Sequence, residues 1–272
     1  MDWDTAKNLA ALETVLDAIG PAAVAVSGGV DSMTLAALAH RRAPGRIAMY
    51  HAVSPAVPPE ATKRVQAMAG AEGWRLTIVD AGEFAQEDYR ANPVNRCYHC
   101  KTSLYSAIRA VTDSQILSGT NTNDLSDYRP GLDAAREHNV RHPYVEAGIS
   151  KSALRGIARR LGLADIAELP AAPCLSSRIE TGIRIEADML GLVNAAERFV
   201  ARLLKPRTVR CRVRAEGVVV ELDPAALHAL DAGSRETVLA QLRRMFPRAA
   251  AVSVAPYRTG SAFLVENRAE AD

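Results

Sequence analysis

The sequence predicts an α/β fold: a parallel sheet with helices on both faces, followed by a smaller α+β domain. Three observations carry this expectation. Short apolar runs alternate with segments of helical spacing between Ala22 and Ser118. Two adjacent glycines separate the first apolar run from the next helical segment, where a tight strand-to-helix turn belongs. After the Pro-rich stretch from Leu169 to Cys174 the alternation stops, and a long helical segment leads into two apolar runs joined across Glu216-Gly217. The boundary is placed near residue 180, giving domains 1–180 and 181–272.

Taken in order, Leu9, Leu12, Val15, Leu16 and Ile19 recur at helical spacing and predict a helix over 5–19. A buried strand over 22–26 enters the glycine turn, and 33–39 continues as helix. A second strand over 47–53 ends at Ser54-Pro55. A helix over 60–72 and a third strand over 75–79 follow, then a helix over 103–112 and a fourth strand over 115–118. Ligands of parallel sheets gather at the carboxyl ends of the strands, so the loops at Ser27, Ser54 and Gly119 are expected to point at one crevice. A helix over 151–161 starts after Ser150, a suitable N-cap. Pro170 and Pro173 interrupt regular structure. Beyond them the pattern predicts a helix over 186–204, paired strands over 210–214 and 218–222, helices over 224–230 and 234–245, and a last strand near Val252.

Hydrophobic residues make up 48% and charged residues 24%, the balance of an ordinary soluble globular chain. A net charge of +2 does not point to a nucleic-acid binder, and no continuous apolar 18-mer predicts a membrane span. The opening MDWDTAKNLA lacks the regions of a signal peptide, so a cytoplasmic setting is expected. In a reducing compartment Cys97, Cys100, Cys174 and Cys211 are read as ligands or reactive thiols rather than disulfides.

Five stretches carry chemistry. The first is SGGVDS, residues 27–32. Gly28 and Gly29 admit unusual backbone angles. Their N–H groups, the helix dipole and the hydroxyls of Ser27 and Ser32 can then converge on an anion. The loop lacks the Lys of a Walker A motif; after a strand it resembles the PP-loop of ATP pyrophosphatases, which cleave ATP between its α- and β-phosphates. The second is SGTNTNDLSDYRPG, residues 118–131. Asn121, Asn123, Asp124 and Asp127 suit a Mg²⁺ ion bridging phosphates, or equally a polar loop of turn residues.

The third is NRCYHCK, residues 95–101. Cys97 and Cys100 form a CxxC pair with His99 between them. With no second CxxC, the readings are an iron–sulfur cluster with one open iron, a zinc site completed by His99 or water, and a metal-free thiol pair. The fourth is PAAPCLSSR, residues 170–178, where Cys174 stands near Arg178, a neighbour that favours a thiolate nucleophile; a small loop hydrophobe is the alternative. The fifth is the basic run from Arg198 to Arg214. Arg212 and Arg214 share one face of a predicted strand and could clamp a phosphate or carboxylates, or form a solvated face or an RNA contact.

SGGVDS, NRCYHCK, SGTNTNDLSDYRPGL, PYVEAGISKSALRGIARRLGL, PAAPCLSSRI and the later RVR strand stand in an order that resembles the LarE family of PP-loop sulfur transferases over nearly the whole chain. The resemblance implies a Rossmann-like PP-loop ATP pyrophosphatase domain and a small substrate-binding or oligomerisation domain. It implies ATP- and Mg²⁺-dependent adenylation of a pyridinium dicarboxylate mononucleotide, then replacement of AMP by sulfur on the path to the nickel-pincer nucleotide of lactate racemase. On this resemblance Ser27, Gly28, Gly29, Asp31, Ser32, Ser54, Lys101, Gly119, Thr120, Asn121, Asp124, Asp127 and Arg129 serve ATP and pyrophosphate. Arg178, Arg212 and Arg214 serve the substrate, and Asp31, Glu197 and Glu221 are the acidic metal positions.

The family has two sulfur strategies. In one, the cysteine matching Cys174 gives up its own sulfur and becomes dehydroalanine. In the other, cysteines matching Cys97, Cys100 and Cys174 hold a [4Fe–4S] cluster that delivers sulfide. The CxxC departs from the sacrificial pattern and implies the cluster type. A homo-oligomer, often a hexamer, is implied as well, and the sulfur donor is left open. A tRNA thiolase shares the loop and often the three cysteines, but the modest charge and the lack of an RNA-binding module count against it.

Overall fold

Each apolar run before residue 120 becomes a strand. The chain runs through α1 (Trp3–Asp17), β1 (Ala22–Ala25), α2 (Val30–Arg42), β2 (Ile47–Val53), α3 (Pro59–Glu72), β3 (Arg75–Asp80), α4 (Glu87–Arg90), α5 (Arg96–Arg109), β4 (Gln115–Leu117), α6 (Gly131–Glu137), α7 (Pro143–Glu146), α8 (Lys151–Arg160) and α9 (Ala164–Ala167). It continues through α10 (Ala187–Leu204), β5 (Val209–Arg214), β6 (Gly217–Leu222), α11 (Pro224–His228), α12 (Ala232–Met245) and β7 (Val252–Pro256). The computed structural model describes residues 3–125 and 130–262. Two compact units divide the chain: Met1–Ala85 with Cys97–Ala172, and Gln86–Arg96 with Pro173–Asp272.

In the first unit the described strands form one parallel sheet of order β3-β2-β1-β4. β1 is built from small residues, with Ala22, Ala23 and Val24 at most 1% exposed, so helices on both faces can approach it closely. Leu12, Leu16, Met33, Leu35, Leu154 and Ile157 of α1, α2 and α8 fill one core region. Tyr50, Tyr105, Ile108, Ile116 and Val140 fill another. Each such side chain contributes about 1.5–3 kcal/mol by leaving water. α3 stops at Gly73, whose left-handed φ of 68° turns the chain into β3. The strand order reverses beside β1: β2 follows on one side, and β4 is added later on the other. A parallel sheet opens its ligand crevice at the carboxyl ends of such a pair.

One boundary differs from expectation. The helix predicted over 103–112 begins at Arg96, so the CxxC pair is helical. Pro93 starts it: its carbonyl accepts from the Arg96 N–H at 2.9 Å, closing the first turn. Residues 96–102 carry no apolar periodicity, which is why the pattern starts the helix late.

In the second unit β5 and β6 form the expected antiparallel hairpin, and β7 joins β6 in parallel. Gly217 is required at the turn, because its φ is 139° and a Cβ there would stand 2.3 Å from the Ala251 carbonyl oxygen. α10 buries Leu190, Val193, Ala196 and Val200 at helical spacing and packs on β5. The segment 86–96 belongs to this unit through long-range polar contacts. The Asn92 amide donates to the carbonyls of Glu180 at 2.8 Å and Ile183 at 2.9 Å, and the Tyr89 and Ser176 hydroxyls share a 2.6 Å hydrogen bond. Among the described residues no helix is long and apolar enough to cross a membrane.

Candidate active site

The glycine loop leaves β1 and enters α2 with its backbone held from both sides. The Ser27 N–H donates to Ser32 Oγ at 3.0 Å, the two hydroxyls lie 3.1 Å apart, and Ser32 Oγ returns a bond to the Gly29 carbonyl at 3.3 Å. Gly28 has φ 81°, and a Cβ there would meet the Ala61 carbonyl oxygen at 2.8 Å. The α3 side of the loop supplies two further clamps. Arg64 donates to the Gly28 carbonyl at 2.6 Å. His51 bridges the Val26 carbonyl (Nδ1, 2.7 Å) and the Thr62 hydroxyl (Nε2, 2.9 Å). Burial lowers the His51 pKa, so the ring is neutral. A carbonyl only accepts, which puts the proton on Nδ1. Gly29 is the N-cap of α2 and offers no side chain, so the first N–H groups of the helix are left for an anion.

Across the reversal point, the loop after β4 closes on the same helix end. A Cβ on Gly119 would lie 2.8 Å from the Ser32 nitrogen, so only glycine permits this approach. The Asn121 amide donates to Asp124 Oδ2 at 3.0 Å and to Asp31 Oδ1 at 3.3 Å, joining the two carboxylates. Lys151, on the first turn of α8, donates to both Asp31 oxygens at 2.7 and 2.5 Å. The Tyr144 hydroxyl donates to the Asp31 carbonyl at 3.0 Å; complete burial raises its pKa well above the ordinary value and keeps it a neutral donor. Thr120 and His142 both bond the Ser118 hydroxyl, at 3.0 and 2.8 Å, and burial lowers the His142 pKa.

Lys101 packs against Gly131, its ammonium 5.8 Å from the Tyr105 ring centre. The Ser54 hydroxyl caps its own turn by accepting from the Ala56 N–H at 3.2 Å. Asp127 and Arg129 lie outside the described residues. Lys151, Tyr144, Arg64 and His51 are site residues the sequence reading missed. Tyr144 and Lys151 lie in the stretch 143–163 that carries the resemblance, but only tertiary contact assigns them, like Arg64 and His51, to this loop.

Oxygen donors from Asp31 and Asp124 beside an open helix N-terminus suit Mg²⁺, which takes one or two carboxylates and completes its shell with phosphate oxygens and water. Among the described residues, no three His, Cys, Asp or Glu side chains form a ready metal cage. Cys97 and Cys100 stand three residues apart in α5 and are both half-buried, a spacing that turns two thiols to one side of a helix. Cys174, in the second unit, is half-buried and precedes the short helical turn Leu175–Arg178.

Arg178 holds that turn by its backbone. It donates to the Pro173 and Cys174 carbonyls at 2.7 and 3.1 Å and pairs with Glu197 at 2.9 Å. Its guanidinium therefore braces the loop that carries Cys174. Cys211 is fully buried, and desolvation pushes its thiol pKa far up, which makes it a packing residue.

The second unit gathers an arginine cluster. Arg212 pairs with Glu221 at 3.1 Å, and Arg214 with the other Glu221 oxygen at 2.8 Å. Arg212 and Glu221 are 4% and 2% exposed, so this is a buried ion network. Glu197 and Glu221 act here as counter-ions of the arginines. Among the described residues, Arg178 pairs with Glu197, and Arg212 and Arg214 pair with Glu221. Burial, followed by Arg178, lowers the Arg210 pKa. Arg214 Nε is buried without a hydrogen-bond partner among the described residues. A buried guanidinium nitrogen with a donor to spare, beside other arginines, is an arrangement that can take an anion.

No family model matches the chain. Over 207 residues, 75% of this chain and 76% of the relative, it is 39% identical to the uncharacterized protein slr1717 of Synechocystis sp.. Over 228 residues, 82% of each chain, it is 28% identical to the pyridinium-3,5-bisthiocarboxylic acid mononucleotide synthase of Lactiplantibacillus plantarum. A third relative, the uncharacterized protein MJ0830 of Methanocaldococcus jannaschii, is 29% identical over 136 residues, 48% of this chain and 52% of its own.

Proposed function

We infer that the chain is a LarE-type ATP-dependent sulfur transferase acting on pyridinium-3,5-biscarboxylic acid mononucleotide in nickel-pincer nucleotide synthesis, a reading supported by its 28% identity over 82% of its length to the Lactiplantibacillus plantarum synthase. The observation that carries this reading is the open N-terminus of α2, ringed by Asp31, Asn121 and Asp124 at the sheet's reversal point. A substrate carboxylate oxygen attacks the α-phosphorus of ATP, the bond to the bridging oxygen breaks, and pyrophosphate leaves with that electron pair. A sulfur nucleophile then attacks the acyl carbon, and AMP leaves with the electrons of the C–O bond. The product is a thiocarboxylate.

The residues divide the work by chemistry. The α2 N–H groups and the Ser27 and Ser32 hydroxyls bind phosphate oxygens, and Lys101 adds positive charge. Asp31 and Asp124 would hold Mg²⁺, which supplies charge neutralisation at the pyrophosphate. Arg214, with the buried Arg212 beside it on the same strand face, offers positive charge to the substrate's phosphate and carboxylate, a role the unpaired Arg214 Nε supports. Arg178 is spent instead on bracing the Cys174 loop. Cys97, Cys100 and Cys174 would hold a [4Fe–4S] cluster, which supplies sulfide when present. A homo-oligomer and a cytoplasmic setting belong to the same reading; the expected boundary near residue 180 gives way to one after Ala172, with the first unit carrying nucleotide chemistry and the second substrate chemistry.

Protein purified without oxygen and given ATP, Mg²⁺ and the biscarboxylate releases pyrophosphate and forms the thiocarboxylate. Its spectrum shows broad iron–sulfur charge-transfer absorption that Cys97→Ala abolishes. Turnover that leaves Cys174 as dehydroalanine, read as loss of H₂S from the protein mass, favours the sacrificial route. No pyrophosphate release with this substrate refutes the assignment.

A further inference from the structure

The glycine loop contains no lysine, yet the structure brings one to it from far along the chain. Lys151 lies at the first turn of α8, and its ammonium grips both oxygens of Asp31 at 2.7 and 2.5 Å. Its base is fixed: the Lys151 N–H donates to Asn123 Oδ1 at 2.8 Å, and Ser150 caps the turn by accepting from the Ala153 N–H at 3.3 Å. Its tip is not sealed, since the side chains of Lys151 and Asp31 are 35% and 28% exposed. A fixed stem with an exposed head on four rotatable carbons can swing.

The ammonium occupies the carboxylate that a divalent ion would need, and the two cations cannot both hold the same oxygens. A nucleotide arriving there brings several negative charges toward Asp31 and Asp124, so a mobile positive charge is needed on the phosphate side.

We propose that Lys151 is an exchangeable cation of the nucleotide site. It neutralises Asp31 while the site awaits nucleotide, and it moves onto the phosphate oxygens when Mg²⁺ takes the carboxylate. The inference rests on the ATP-binding reading above and adds a residue and a switch to it. Its signature is a pair of effects of opposite sign. Lys151→Met removes a donor from the phosphates, so affinity for ATP with saturating Mg²⁺ falls roughly tenfold to a hundredfold, the ratio carried by one charge-assisted hydrogen bond. The same change frees Asp31, so Mn²⁺, followed by its electron paramagnetic resonance signal, binds the nucleotide-free protein more tightly. Lys151→Arg keeps the charge and restores part of the ATP affinity; it also carries the test should the methionine variant fold poorly.

A merely structural lysine would lower both affinities or neither, and either result overturns the proposal. If the unaltered chain binds no ATP, the nucleotide reading falls and the proposal with it. If it binds ATP with the same affinity in all three proteins, the proposal alone falls.

Discussion

Gly28 has to satisfy two demands at once: a φ of 81° and a backbone carbonyl, that of Ala61, lying where a Cβ would go. Gly28→Ala is expected to cost about 1–3 kcal/mol of stability from the strained backbone angle, measured by urea unfolding, and to remove ATP binding. Gly119→Ala is expected to impair binding too, because its contact is the rigid start of α2. The two histidines behind the loops set a pH limit. His51 and His142 have pKa values lowered mainly by burial. Below the ordinary value of 6.5 the unfolded chain takes up protons that the fold refuses, so stability falls as pH drops through that region. Urea midpoints between pH 7.5 and 5 check this; a flat profile would contradict it. At this scale SGGVDS was legible because its residues are contiguous. Lys151, Tyr144 and Arg64 were not, because each reaches the loop from another helix, and the stretch 143–163 that holds two of them does not itself say what they touch.

Among elements, α8 shows how a capped helix delivers a side chain. Ser150→Ala is expected to cost about 1 kcal/mol through loss of the cap and to weaken ATP binding by loosening the base of Lys151. Ser150 was readable as a cap because Ser before a helical pattern is a local signal, and its bond to the Ala153 N–H meets that expectation. The start of α5 was not readable, since a polar first turn hides a helix from any apolar period. Its helicity has a consequence. Alanine suits a helix at least as well as cysteine, so Cys97→Ala and Cys100→Ala should shift stability by under about 1 kcal/mol while removing bound iron. Thermal unfolding beside iron analysis separates the two effects. In the second unit the hairpin across Glu216-Gly217 followed from two apolar runs with a glycine between them. The pairing of Glu197 and Glu221 with the arginines did not, because ion pairs between separate elements have no sequence period.

For the molecule as a whole, a ligand of the first unit should act unevenly. Binding at a hundredfold excess over Kd stabilises the binding-competent fold by about 2.7 kcal/mol. Hydrogen exchange with Mg²⁺ and ATP should slow first at residues 26–33, 118–125 and 149–153. Uniform slowing, or none, would argue against nucleotide binding at this loop. The α/β class was readable because strands and helices alternate with different periods. The allegiance of residues 86–96 was hidden, because Tyr89 and Asn92 bond partners some ninety positions away.

That allegiance bears on how the protein can be cut. The chain visits the second unit, goes back to the first, and only later returns to stay. A stop codon after Ala172 would therefore not release a clean N-terminal half. It would strand a tyrosine hydroxyl and an asparagine amide whose mates had been deleted. Shortened versions meant for nucleotide studies are better made by grafting a short bridge over 86–96 than by trimming the tail.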